Sequence, residues 1–215
     1  MKTIVKICGL TREADVDAAV ANGAEMVGFV FFPRSPRAVT PARARRLAGR
    51  VPSGVLKVAL SVDADDALLT DITTTANIDM LQLHGQETPG RCQDVRDKFS
   101  LPVMKAVAIA GPEDVAHART YEAAVDRLMF DAKPPEGATR PGGNALAFDW
   151  RVIAGETWSK PWMLAGGLTP ENVIEAVRAS GAPALDVSSG VEIEPGIKDA
   201  TKIRDFITAV RRECT

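Results

Sequence analysis

Along the chain, short and wholly apolar runs are separated by longer stretches in which apolar and polar residues recur at helical spacing. The runs cover residues 4–8, 26–31, 56–60, 80–83, 102–107, 128–130, 162–165 and 184–187. They are apolar throughout rather than alternating, the signature of strands buried on both faces of a parallel sheet. In the first intervening stretch, 12–22, one side gathers Val16, Ala19, Val20 and the following Gly23, while Glu13, Asp15 and Asp17 fall elsewhere. That is an amphipathic helix. Thr40-Pro41, Thr88-Pro89 and Thr169-Pro170 each set a capping hydroxyl before a proline suited to the first helical position. Gly111-Pro112 opens another helix, and Thr11 is a candidate cap for the first. Two units are expected to be weak: the third, where Thr73-Thr74-Thr75 disfavours helix, and the sixth, where 148–154 allows only a short one.

Successive strand centres lie about 20–35 residues apart, one β-α unit each. Eight units in 215 residues predict a (β/α)₈ (TIM) barrel of the α/β class, near the lower end of its size range. An open doubly wound sheet is the rival; eight repeats, and no Gly-x-Gly-x-x-Gly after the first run, favour the barrel. No compositional shift marks a boundary, so 1–215 is expected to be a single domain. The Pro/Gly-rich segment 132–143 reads as an active-site loop.

Composition narrows the class. With 46% hydrophobic and 25% charged residues the chain is globular, and with only 7 Phe, 3 Trp and 1 Tyr its core is expected to be mainly Ala, Val, Leu and Ile. The 26 Lys and Arg against 28 Asp and Glu leave a net charge of −2, which argues against nucleic acid and against a polybasic membrane surface. No apolar stretch approaches membrane-spanning length, and Lys2 and Lys6 flank too short a run for a signal peptide. Three cysteines (Cys8, Cys92 and Cys214) are too few for a disulfide scaffold, and the expected setting is a reducing cytoplasm. Without Cys-x-x-Cys or a histidine cluster, no metal site is expected.

A barrel's chemistry gathers at the C-terminal ends of its strands. Standing there are Cys8, Arg34, Arg37, Asp63, His84, Asp131, Gly166-Gly167 and Ser188-Ser189-Gly190. The turns after strands seven and eight supply glycines and hydroxyls where such barrels hold phosphate, so a phosphorylated ligand is expected. Cys8 is either a small buried hydrophobe or a reactive thiol; Lys6, two residues deeper on the same face, would favour its thiolate. Asp131 reads as a loop-capping carboxylate or an acid, and His84 is the only histidine at a strand end. Arg34 and Arg37 are either solvated loop charges or guanidiniums near the rim that hold a carboxylate by two parallel bonds. No Gly-x-Ser-x-Gly is present, which disfavours a serine hydrolase.

Several blocks, in order and spanning 2 to about 210, resemble the phosphoribosylanthranilate isomerase family. They are Lys6-Ile7-Cys8-Gly9-Leu10-Thr11, Gly28-Phe29-Val30-Phe31 with Ser35-Pro36-Arg37, Leu81-Gln82-Leu83-His84-Gly85, Phe130-Asp131-Ala132-Lys133, Phe148-Asp149-Trp150, Ala165-Gly166-Gly167-Leu168-Thr169-Pro170-Glu171-Asn172-Val173 and Asp186-Val187-Ser188-Ser189-Gly190-Val191-Glu192. The resemblance implies a cofactor-free Amadori rearrangement of a phosphoribosyl-anthranilate, a small-molecule substrate, by a monomer or homodimer. It further implies Cys8 as general base and Asp131 as general acid. Arg37 would bind the anthranilate carboxylate, and Gly166, Gly167, Ser188, Ser189 and Gly190 the phosphate; His84 is a further substrate-binding candidate. Two roles stay open for Asp186: contact with the anthranilate nitrogen, or pairing with Lys6. Ala59, Ser61 and Ala145 depart from the family pattern. The alternatives are a related isomerase of the histidine-pathway aminoaldose, against which Cys8 argues, and a non-catalytic sugar-phosphate-binding barrel.

Overall fold

The computed structural model describes residues 2–133, 142 and 147–213. Eight parallel strands close in chain order: β1 (Ile4–Cys8), β2 (Met26–Val30), β3 (Leu56–Ser61), β4 (Met80–Leu83), β5 (Val103–Ile109), β6 (Arg127–Ala132), β7 (Trp162–Leu164) and β8 (Ala184–Val187). The ring is completed by β8 on β1, with Ile4 opposite Ala184 and Lys6 opposite Asp186. This excludes the open sheet. β5 and β6 run longer than the apolar runs suggest, paired from Met104 opposite Arg127 to Ile109 opposite Ala132. Arg127 and Asp131 interrupt the apolar pattern yet face along the barrel's inner rows, so polarity hid the true length of β6.

Outside the barrel pack α1 (Glu13–Ala21), α2 (Pro41–Ala48), α3 (Asp66–Thr75), α4 (Pro89–Phe99), α5 (Pro112–Ala118), α6 (Val173–Ser180) and α7 (Ala200–Glu213). Between β6 and β7 the described residues hold only a short 3₁₀ turn, Trp150–Ile153, as the sequence leads one to expect. Thr40 and Thr88 cap α2 and α4 through the amides of Arg43 (3.1 Å) and Arg91 (3.2 Å). Three expectations fail for identifiable reasons. The Thr11 hydroxyl donates to Gly196 O (2.8 Å) instead of capping α1. Thr169 accepts from Glu171 N (3.3 Å) in a turn that precedes α6, which begins only at Val173. Asp15 is buried rather than outward, because Arg12 grips it through Nε (2.9 Å) and Nη2 (2.6 Å).

The third unit also forms better than its threonines promise. Asp65 caps α3 by accepting from Leu68 N (2.8 Å), and Leu69 and Ile72 are buried. Thr73 and Thr74 turn their hydroxyls back onto the carbonyls of Leu69 (2.9 Å) and Thr70 (2.7 Å). Packing and the cap outweigh a modest propensity cost.

Two apolar layers result. The layer between strands and helices is built from Ala, Val, Leu and Ile, with Phe29, Phe130 and Phe206 among the larger members. Inside the barrel the composition changes: Met26, Met80, Met104, Met129 and Met163 fill it, with Val58, Ala106, Ala165 and Ala184. Of six methionines in the chain only Met1 lies elsewhere in sequence, so the expected aliphatic core describes one layer and not the other. An unbranched thioether fills the irregular space at a barrel axis without a fixed shape. Above this floor the same inward rows carry Lys6 and Cys8 (β1), Gln82 (β4), Asp131 (β6) and Asp186 (β8).

Candidate active site

Two ion clusters organise the β1–β8 side of the mouth. Lys6, fully buried, donates from Nζ to Asp186 Oδ1 at 2.8 Å. Burial opposes its charge, yet Asp186 first and Cys8 second outweigh that and hold the ammonium above its ordinary range. Of the two roles open to Asp186, pairing with Lys6 is therefore present. Cys8 behaves contrary to expectation: burial above all pushes the thiol up, nearby Asp186 adds to it, and the pull of Lys6 does not overcome them. Gly28 opposes Cys8 on β2, and a Cβ there would stand 2.8 Å from Sγ and 3.1 Å from Lys6 Nζ.

The second cluster was not legible beforehand. After β8 the chain makes a 3₁₀ turn (Ser189–Val191) and an antiparallel hairpin, β9 (Glu192–Glu194) with β10 (Ile197–Lys198). Glu192 takes Arg37 Nε and Nη2 at 2.7 Å each, and Lys198 Nζ at 2.7 Å. All three are buried. Burial alone would raise the Glu192 carboxyl, but Arg37 and Lys198 bring it below the usual range. The Lys198 ammonium is pushed down by burial despite Glu192. Lys198 Nζ also reaches Ser188 O (3.0 Å) and Oγ (3.2 Å), and Ser188 Oγ donates to Cys8 O (3.0 Å). Of Arg37's five N–H donors, Glu192 occupies two, and those on Nη1 have no partner among the described residues. Glu192 sits within the resemblance blocks without an assigned role, whereas Lys198 is brought in only by the hairpin.

On the β6–β8 side, Gly166 and Gly167 have φ of 87° and 64°, a left-handed turn that favours glycine. A Cβ on Gly166 would meet Ala132 N at 2.5 Å and Asp131 Oδ1 at 3.0 Å, so this turn lies directly against the carboxylate. Gly166, Gly167, Ser188 and Ser189 border a hollow of about 30 Å³ with Asp131 and Asp186. Gly190 lies on its outer flank, in a shallower depression with Thr169 and Lys202.

On the β4–β6 side, His84 Nε2 lies 3.1 Å from Asp131 Oδ2, and Asp131 Oδ1 accepts from Ala132 N at 2.8 Å. Gly142 covers the pair: a Cβ there would stand 2.6 Å from Asp131 Oδ2 and 2.8 Å from His84 Nε2. His84 is thus bound to Asp131, a closer tie than a ligand contact alone implies. Cys8, Arg37, His84, Asp186 and Ser188 share a second hollow of about 60 Å³, walled by Val30, Phe32, Leu60 and Val62. Those apolar walls draw on Val30 and Leu60, which belong to apolar runs of the sequence, and on Phe32 and Val62 just beyond β2 and β3.

Two rim candidates stand apart. Arg34 is exposed and borders neither hollow. Asp63, in a left-handed conformation, accepts from Gln86 N (2.6 Å) and ties two loops together. Cys92 is buried in α4, pushed up to about 11 by burial. Cys214, Ala145 and most of the loop 132–143 lie outside the described residues. Among the described residues no group of three or more His, Cys, Asp or Glu is arranged to hold a metal ion, and no helix is long and apolar enough to cross a membrane.

Residues 5–209 match the family model described as N-(5'phosphoribosyl)anthranilate (PRA) isomerase. The N-(5'-phosphoribosyl)anthranilate isomerase of Paramagnetospirillum magneticum is 56% identical over 211 residues, covering 98% of each chain. The crystal structure of phosphoribosyl anthranilate isomerase from Thermotoga maritima superposes with a TM-score of 0.88 at 34% identity, over 98% of this chain and 99% of that one. A second such structure, in complex with reduced 1-(o-carboxyphenylamino)-1-deoxyribulose 5-phosphate, gives a TM-score of 0.82 at 32% identity, over 98% and 99%.

Proposed function

The chain belongs to the N-(5'-phosphoribosyl)anthranilate isomerase family, and from that premise we propose how its barrel mouth divides the work. The reaction converts N-(5′-phosphoribosyl)anthranilate, an aminoaldose, into the aminoketose 1-(2-carboxyphenylamino)-1-deoxyribulose 5-phosphate, the third step of tryptophan biosynthesis. Asp131 gives its proton to the ribose ring oxygen, the C1′–O bond breaks, and the anthranilate nitrogen becomes an iminium. Cys8, as thiolate, takes the proton from C2′, whose acidity the iminium has raised, and the resulting enolamine tautomerises to the ketone. The iminium serves as the electron sink, so this route needs no metal or organic cofactor.

One observation carries the assignment. The thiol hollow and the glycine hollow share Asp186 and Ser188, with Cys8 bordering the first and Asp131 the second. A substrate with a carboxylate at one end and a phosphate at the other spans them: its ring lies against Val30, Phe32, Leu60 and Val62, with its carboxylate on the Nη1 edge of Arg37. Its phosphate rests on the backbone N–H groups of the Gly166-Gly167 turn and of Ser189, flanked by Gly190. The reacting carbons then lie between base and acid. Buried free thiols at Cys8 and Cys92 suit a reducing cytoplasm. We read residues 1–215 as one domain, acting as monomer or homodimer.

A fluorescence assay on the anthranilate chromophore tests the roles. General acid–base help is worth roughly 10²–10⁴ per group, so Cys8→Ala and Asp131→Asn each lose about that much kcat with modest change in KM. Near-wild-type turnover in either purified, folded variant overturns the assignment. Arg37→Met raises KM instead.

A further inference from the structure

Beneath His84 lies a buried amide that the reaction as written leaves unused. Gln82 is fully buried on the inward row of β4. Its Nε2 stands 3.0 Å from His84 Nδ1 and 3.3 Å from Met129 Sδ, while its Oε1 has no hydrogen-bond partner among the described residues. A buried polar side chain inside a methionine-filled barrel is costly unless its polar atoms are hydrogen-bonded, so an amide kept there with one atom unpaired calls for an explanation. An amide nitrogen only donates, so Nδ1 must accept; the ring proton then sits on Nε2 and points at Asp131 Oδ2, 3.1 Å away. Turning the amide over would set its oxygen against the Met129 sulfur, bringing two acceptors together. It would also reverse the imidazole, leaving Nε2 with no proton for the carboxylate that Asp131 becomes on giving up its own.

We propose that Gln82 is a positioning residue that fixes His84 as the neutral Nε2–H tautomer, so that His84 and the Ala132 amide together receive the negative charge Asp131 acquires when it protonates the substrate. The two donors meet the two carboxylate oxygens separately, Nε2 at Oδ2 and Ala132 N at Oδ1 (2.8 Å). Preorganised donors aimed where charge develops lower the barrier to its formation. Without Gln82, the ring divides between two tautomers and presents a lone pair to the carboxylate part of the time. This rests on Asp131 being the acid; the tautomer itself does not.

The chain has two histidines, so long-range ¹H–¹⁵N correlation spectra read the tautomer directly, with the exposed His117 as reference. In wild-type protein, about two pH units above the ordinary imidazole range, His84 is expected wholly as Nε2–H; an Nδ1–H spectrum overturns the proposal whatever the variants do. Gln82→Leu is expected to give mixed tautomers and to lower kcat at least about tenfold, a part of what a general acid supplies, with KM within about twofold. Gln82→Glu, which puts an acceptor at Nδ1, moves the proton there and loses more. In a His84→Ala background Gln82→Leu is expected to change kcat no further. Unchanged kcat in a folded Gln82→Leu protein, or an equal loss in both backgrounds, overturns the role. Full activity of Asp131→Asn would instead overturn the acid assignment, leaving the tautomer measurement intact.

Discussion

On β1 the inward residues read Ile4, Lys6, Cys8; on β4, Met80, Gln82, then His84 beyond the strand; on β8, Ala184, Asp186, then Ser188. Each strand thus passes within two residues from an apolar floor to a polar mouth. The floor, with Met26, Met80, Met104, Met129 and Met163, is held by many weak contacts between flexible chains, none of which requires one particular partner. At the mouth, Lys6 has Asp186, and Arg37 and Lys198 share Glu192, each at 2.7–2.8 Å. The same alternation of side chains therefore produces one region that tolerates a change of shape and another in which each charge depends on a single neighbour.

The contrast is tested hardest at Glu192, the one anion serving two buried cations. Removing one partner of a buried ion pair costs about 3–5 kcal/mol, because the remaining charge stays out of water without compensation. Glu192→Gln is therefore expected to lower the free energy of unfolding by about that much, read from the midpoint of urea denaturation. It should also raise KM, since Glu192 fixes which edge of Arg37 faces the ligand. A loss under about 1 kcal/mol would mean that the mouth is no more exacting than an ordinary surface pair.

That cluster also marks how far the sequence could be read. Eight apolar runs and their spacing revealed the barrel, because burial on both faces leaves a continuous hydrophobic signal. Thr40 and Thr88 disclosed helix starts, since a cap is a local contact. Cys8, Asp131, Arg37 and the two glycine turns announced themselves by standing at strand ends. Lys198 did not: its place depends on a hairpin after β8 folding its side chain beneath Arg37, 161 positions away in sequence. The upward shift of the Cys8 thiol escaped because burial, its largest cause, is set by the whole fold. Strand parity correctly put Lys6 near Cys8, and pairing of Asp186 with Lys6 was one of the two roles left open.

Lys6 offers a smaller effect with a definite sign. Its ammonium lowers the Cys8 thiol, and Asp186 raises it. Lys6→Met removes the first influence and keeps the second, so the thiol moves further up. Because kcat/KM follows the free enzyme and the base proposed for the reaction is the Cys8 thiolate, the rising limb of the profile should move to higher pH, with activity lost at neutral pH. Thiolate absorbance measures this without substrate in a Cys92→Ala, Cys214→Ser background, which leaves Cys8 as the one thiol of the sequence. A limb that stays in place or moves to lower pH would show that Lys6 serves Asp186 alone.

The least effect is expected at the floor. Met104 is fully buried inside the barrel on β5, with its side chain among the other methionines. Met104→Leu nearly conserves volume, adds no polar atom and breaks no ion pair, so it should cost less than about 1.5 kcal/mol. Its kcat and KM should match wild type, because no charge in the mouth depends on that side chain for its partner. Met104→Ala goes further and leaves a cavity, at about 2–5 kcal/mol. If kcat still holds when stability falls that far, floor and mouth are separable; if kcat follows stability down, the methionines also hold the mouth in shape and the division between the two regions is wrong.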